Sequence, residues 1–410
     1  MAFMPATTSS RGKQKMTTSN KGSATTSPES ASPSLRSFAR TPISATSSSA
    51  LRTAPAAPSE TLRPREAQVT DPDFAASVLD PHGITFLPTG LGVSIVDHLG
   101  LKHLGQAAAE RYKAYSSIFP LEETWIGPIQ PLERVQEEYA AMRHLGLDEA
   151  EFQAFARKEI FRSEPRNVLA KVEQRLSPVR LLKHTRKILD ERQWLMPPLQ
   201  QSDILAKTYE WIVEPDCAYH VSDQCFQDGY RNKLGRQTAV TKRGICPYLT
   251  VQFEKDREVS AGTARNQIAV HGSLALYNRW LLKKIALDTN AAKCMKEAHG
   301  KRLPTDKSDE AEWSEEAKKH IRHYAIIFQA SNWELFCLTP KSYERWTGCE
   351  IASLTNNCCE SVKGVEKLIQ AVNDVHFWGL STHAASCKAD ITLQVASPPN
   401  ADTSDLSIVD

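Results

Sequence analysis

The chain has 410 residues, 41% of them hydrophobic, a formal net charge of +2 and a mean hydropathy of −0.41. That is enough apolar material for a full core, yet no apolar run approaches the ~18–20 residues that span a bilayer. A membrane partner is therefore not expected, and the reading is a soluble intracellular protein. Nine cysteines with no C-x-x-C pair speak against a secreted disulfide framework and for a reducing compartment. Cys217, His220, Cys225 and Cys246 come nearest to a zinc set, but their spacing is loose and buried thiols are the simpler reading.

Charge and composition divide the chain. Residues 1–70 form a Ser/Thr/Pro-rich basic tail in which 23 of the first 60 residues are Ser or Thr. Nine Lys and Arg stand there against Glu29, Glu60 and Glu66, so the tail carries +6 and the remainder −4. Such a segment buries too little apolar surface to offset its ordering entropy and is expected to be disordered. No apolar leader follows Met1, and Pro28, Pro33 and Pro42 interrupt any transit-peptide helix. Ser27-Pro28, Ser32-Pro33 and Thr41-Pro42 are candidate phosphorylation sites in what is otherwise a plain linker. The tail's positive charge tilts the placement toward nucleus over cytoplasm, and Arg11-Gly-Lys-Gln-Lys15 is a short nuclear-import candidate.

Residues 71–200 read as a mainly helical extension. A turn and short strand are expected over Leu79–Leu87, and helices over Leu91–Tyr115, Val135–Leu145, Asp148–Phe161, Pro165–Leu176 and Ser177–Glu191. The last would put Arg180, Lys183, His184 and Lys187 on one basic face. From residue 201 to 385 strands enter. Lys207–Val213 alternates as a strand should, and Cys246–Lys255 is a central strand with proline near its start. Between them, Arg231, Lys233, Arg236, Lys242 and Arg243 occupy a loop with no acid and are candidates to meet phosphate, or a solvated loop. A helix over Thr263–Ala286 follows, its stripe Ile268, Leu274, Leu276, Leu281, Leu282 and Ile285 facing the core. A hairpin over Tyr324–Gln329 and Glu334–Leu338 turns at Ser331–Trp333. A strand near Cys349–Leu354 and a helix over Cys359–Val375 close the domain, and residues 386–410 read as a flexible tail. The pattern predicts an α/β fold with a mixed sheet flanked by helices.

Pro215-Asp216, the strand Pro247-Tyr-Leu-Thr-Val-Gln-Phe-Glu-Lys255 and the helix opening Arg265-Asn-Gln-Ile-Ala269 together resemble the PD-(D/E)XK superfamily. More narrowly they are similar to an uncharacterised domain common in fungal proteins. The resemblance spans about residues 150–385 and is strongest over Cys246–Asn278. It implies a restriction-endonuclease-like sheet in which two carboxylates on neighbouring strands hold Mg²⁺ and a lysine two residues after the second orients water. Asp216 falls at the first acid. Gln252 stands where the second acid would be and Glu254 where the lysine would be, with Lys255 on the opposite face. The implied catalytic set is thus Asp216, Gln252, Glu254, Lys255 and Gln267, with Asp216, Gln252 and Glu254 as metal ligands. Asp216 is equally readable as a turn residue after proline, and Asn266-Gln267 as a helix start.

Three functions follow from this altered motif. The first is a degenerate nuclease fold that binds DNA, RNA or protein. The second is an active Mg²⁺-dependent nuclease. The third is a protein-interaction module with no nucleic-acid role.

Overall fold

The structure is a computed structural model that describes residues 66–88, 131–162, 181–184, 194–200, 207–211, 214–222, 244–254, 258–298 and 313–396. The tail over residues 1–65, the helices expected at Leu91–Tyr115 and Pro165–Leu176, and the basic loop lie outside them. Residues 62–410 cluster as one unit.

Apolar residues and local signals account for most elements. Strand β1 (Ile84–Phe86) follows a 3₁₀ turn. Helix α1 (Leu132–His144) buries Val135, Tyr139 and Met142 at helical spacing. Helix α2 (Glu149–Glu159) opens on a capping box: the Asp148 carboxylate accepts from Glu151 N at 3.1 Å, and the Glu151 carboxylate accepts from Asp148 N at 3.2 Å. After β2 (Leu181–His184), β3 (Cys217–Ser222) and β4 (Gly244–Glu254) comes the long helix α3 (Glu258–Ala298). The short α4 (Glu315–Lys319) precedes β5 (His323–Gln329), β6 (Asn332–Pro340) and β7 (Cys349–Cys358). Helix α5 (Val362–Trp378) is capped by Ser361, and α6 (Ala384–Ala396) follows a π-type turn.

The strands form one mixed seven-stranded sheet in the order β1-β7-β6-β5-β4-β3-β2. Only β1/β7 and β4/β5 pair in parallel among the described residues. Helix α3 is the crossover that lets β4 and β5 run side by side in the same direction. It lies on one face of the sheet, where a Cβ at Gly272 would come within 2.6 Å of the Leu338 side chain. On the other face α5 packs with Trp378 edge-on to Tyr324 at 5.1 Å, and Phe161 meets Phe253 and Phe328. Of the expected stripe on α3, Ile268, Leu274, Leu276 and Leu282 are buried, Leu281 is partly buried and Ile285 is exposed.

Several expectations are corrected. Leu181–His184 is a strand rather than part of a helix, because its backbone pairs antiparallel with β3 at the edge of the sheet. With β1 at the opposite edge, the extension over residues 71–200 supplies both edge strands. Lys207–Trp211 is irregular. Among the described residues its backbone bonds go to no strand: Ala67 N donates to Thr208 O, and Lys207 N to Ser77 O in the π-type turn Ala75–Leu79, each at 3.0 Å. Its alternation instead reflects Tyr209 and Trp211 packing edge-on against Phe74 and His82. The β5–β6 turn is Ala330-Ser331, since Gln329 pairs with Asn332 and Trp333 is already in the strand. Ala330 takes the left-handed conformation, φ 50°, that a two-residue hairpin requires.

The expected C-terminal tail is corrected as well. Residues 384–396 form α6, which packs on α3 and buries Asp390 and Ile391. Asp390 meets Arg279 Nη1 at 2.8 Å and Lys283 Nζ at 2.9 Å, and Arg279 Nη2 donates to Ser386 Oγ at 2.7 Å. Both Asp390 and Arg279 are 1% exposed, so each depends on the other for charge compensation. Asp390→Ala should therefore lower the unfolding free energy by about 3–5 kcal/mol in a urea titration, by stranding Arg279. A loss below about 1 kcal/mol would show that the pair does not hold α6 in place.

Candidate functional site

The register of the sheet decides which side chains share a face. Cys217 pairs with Val251, so Asp216, one residue ahead of β3, comes opposite Gln252. Further across, Gln252 pairs with Ile327, Ile327 with Glu334, and Glu334 with Asn356. One row therefore runs Asp216, Gln252, Ile327, Glu334, Asn356 on the face covered by α3. The next row carries Glu254, Gln329, Asn332 and Cys358. At the start of α3, Arg265 reaches down to Glu334 at 3.4 Å, and Ser353 Oγ donates to the same carboxylate at 2.6 Å. A cavity of about 370 Å³ lies here, lined by Arg265, Gln329, Asn332, Glu334 and Asn356.

Asp216 is held by donors from β4 and α2. Gln252 Nε2 donates to its Oδ2 at 2.7 Å and Phe253 N donates to the same oxygen at 2.8 Å. Arg157 of α2 donates to its backbone carbonyl. The second of these has a plain structural cause. The β3–β4 ladder ends at Cys217–Val251, and the next β4 donor would be buried without a strand partner. The Asp216 carboxylate takes that N–H, so the residue extends the ladder by one side chain. Burial pushes its carboxyl above the ordinary 3.8, against the lowering effect of Phe253, Gln153, Arg157 and Gln252.

These contacts bear directly on the implied Mg²⁺ site. Gln252 presents its amide N–H₂ to Asp216, and its Oε1 is buried without a hydrogen-bond partner. Turning the amide over would set that oxygen against the carboxylate, acceptor on acceptor. Glu254 is partly buried on the same face, but among the described residues no three His, Cys, Asp or Glu side chains could hold a metal ion. Asp216 thus meets the amide nitrogen of Gln252 and not a second oxygen ligand. Cys217, His220 and Cys246 are buried and form no metal cluster either, and Cys225 lies outside the described residues.

The other expected residues are dispersed. Gln267, on α3, faces away to a cavity with His271, and no hydrogen bond among the described residues joins it to Asp216, Gln252 or Glu254. Asn266 Nδ2 donates to the Val69 carbonyl at 2.8 Å, tying the segment around residue 69 to the helix. Lys255, Arg231, Lys233, Arg236, Lys242 and Arg243 lie outside the described residues. The ends that bound the basic loop, Ser222 and Gly244, pair with each other at the far end of the hairpin. Across a six-residue strand that places them roughly 20 Å from Asp216. Sequence reading missed Glu334 and Asn356, which only the strand register brings level with Gln252, and Ser353, which reaches Glu334 from the neighbouring row.

The raised carboxyl of Asp216 makes a prediction with a definite sign. The native state binds this proton more tightly than the unfolded chain does. Its contribution to stability is full below pH 3.8 and is lost as pH rises through the native value. Asn at this position still accepts both N–H groups and carries no charge. Asp216→Asn should match the parent protein in stability near pH 3.8 and exceed it increasingly toward neutrality, as read from denaturant midpoints. A parent protein that gains on the variant with rising pH would contradict the assignment.

No protein-family model, curated protein or solved structure matches this chain, so the functional reading rests on the residues and geometry above.

Proposed function

We propose that this is a degenerate restriction-endonuclease-like domain that has lost phosphodiester hydrolysis and serves as a binding module for nucleic acid. The observation that carries the loss of hydrolysis is the hydrogen bond from Gln252 to Asp216. A carboxylate at position 252 would repel Asp216 and call for a cation between them, whereas the amide neutralises the need by donating. The order of strand, Pro-Asp turn, paired strand and crossover helix supports the resemblance. The polar row Asp216, Gln252, Glu334 is acidic and poorly suited to phosphate without a metal. Binding is assigned instead to the segment with Arg231, Lys233, Arg236, Lys242 and Arg243, which leaves the sheet at the opposite end of the β3–β4 hairpin.

Two measurements test this. Purified protein with Mg²⁺ or Mn²⁺ should cleave single- or double-stranded DNA or RNA no faster than Asp216→Ala does. Product that disappears in both Asp216→Ala and Glu254→Ala would instead establish an active nuclease. In a fluorescence-anisotropy titration, replacing the five loop cations by glutamine should weaken binding. It should also flatten the dependence of log K on log salt by about 0.7–0.9 for each phosphate contact removed. Indifference of the parent protein to every nucleic acid would reject that binding and favour a protein partner.

A further inference from the structure

A second cavity, of about 330 Å³, is lined by residues outside the Asp216 row. Its walls come from three separate parts of the chain. Residues 66–69 form one side, Tyr209, Glu210 and Glu214 another, and Gln267 and His271 of α3 the floor. The first wall is tied to the floor by Asn266 and to the second by the Ala67–Thr208 bond. Phe74 and Trp211 pack edge-on around Tyr209, with ring centroids 5.0 and 5.9 Å away, and fix its ring.

The chemistry of the lining is one-sided. Glu66, Glu210 and Glu214 are exposed at the mouth, and none is in an ion pair or hydrogen bond among the described residues. Among the described residues no lysine or arginine lines the cavity. Lys207, two residues before Tyr209, is taken by Asp73 at 2.7 Å. Deeper in, His271 is 6% exposed with an unpartnered Nδ1, and the Gln267 Oε1 is buried and unpartnered. A buried polar group left without a partner is costly; Gln267 Oε1 lacks a donor, and so does His271 Nδ1 in its Nε2–H tautomer. Burial drives the imidazole pKa down to about 3, so His271 adds no positive charge to offset the acids.

A multivalent metal ion is a poor match, because no three His, Cys, Asp or Glu side chains among the described residues could ligate one. An anion is opposed by the three carboxylates. What remains is an organic cation with several N–H donors and an apolar stem, which an aromatic wall also favours. We propose that this cavity binds a primary ammonium or guanidinium group, with the glutamates at its mouth supplying charge and Gln267 and His271 accepting hydrogen bonds within. The source of that group is either a free small amine or an arginine or lysine side chain of a peptide. The proposal does not depend on the nuclease resemblance.

The test is isothermal titration of the full chain with agmatine, 1,5-diaminopentane, an arginine-containing blocked tripeptide and uncharged 1-pentanol. Agmatine or the diamine should bind saturably at one site. Glu210→Gln with Glu214→Gln, both at exposed positions, should raise its Kd about tenfold, and Gln267→Met by a similar factor. Thermal melts of the variants check that they stay folded. Tighter binding of the tripeptide than of agmatine assigns the source to a peptide, and the reverse order assigns it to a free amine. The proposal is overturned if neither amine binds saturably, if the glutamate variant binds agmatine as well as the parent protein, or if pentanol binds as tightly. Nucleic-acid affinity, measured on the same variants, should not change, which separates this site from the loop.

Discussion

Strand β4 is hydrogen-bonded on both sides, antiparallel to β3 and parallel to β5, and its residues Ile245–Phe253 are buried on both faces. A strand in that position cannot leave a backbone donor unpaired without a cost comparable to a lost hydrogen bond. Two features of the molecule follow from this requirement. Helix α3 must cross the sheet to return the chain for a parallel β5. Where β3 runs out, a side chain must take over from its backbone. Asp216 does so, receiving Phe253 N–H, and in the same act it is brought within 2.7 Å of Gln252. The carboxylate that the resemblance assigns to catalysis thus has a structural task that any ladder end of this kind would impose.

Around that point the electrostatics are divided. The α3-covered face carries Asp216, Glu254 and Glu334, with Arg265 the cation that pairs with Glu334 among the described residues. The second cavity adds three more carboxylates at its mouth. The basic segment is anchored at the other end of the β3–β4 hairpin, and the tail carries the remaining excess of positive charge. An acidic end and a basic end on one hairpin suit two ligands of opposite charge better than one phosphodiester site.

The sequence made some of this legible for physical reasons. Central strands such as β4 and the β5–β6 hairpin are long and apolar enough to be recognised, and the Asp148-x-x-Glu151 box announces α2. Short edge strands are a different matter. Leu181–His184 sits inside a pattern that also suits a helix, and only its pairing with β3 decides the outcome. Tyr209 and Trp211 alternate because they pack into an aromatic cluster, which a strand pattern mimics. Helix α6 was hidden because polar Asp390 reads as a solvent-facing residue until Arg279, 111 positions earlier, is placed beside it. Within the site, the Pro215-Asp216 turn and the glutamine at 252 were visible, but their mutual hydrogen bond was not. The cavity floored by His271 draws on segments far apart in the chain, and no local spacing announces it.

The central claim is that Asp216 is engaged by Gln252 and the backbone of β4 instead of by a metal ion. Direct titration with Mn²⁺, followed by the electron paramagnetic resonance of the free ion, addresses it without reference to any substrate. The account predicts no saturable site in the parent protein and the appearance of one in Gln252→Glu, where a second carboxylate faces Asp216. Stoichiometric Mn²⁺ binding by the parent protein that is abolished in Asp216→Ala would contradict it.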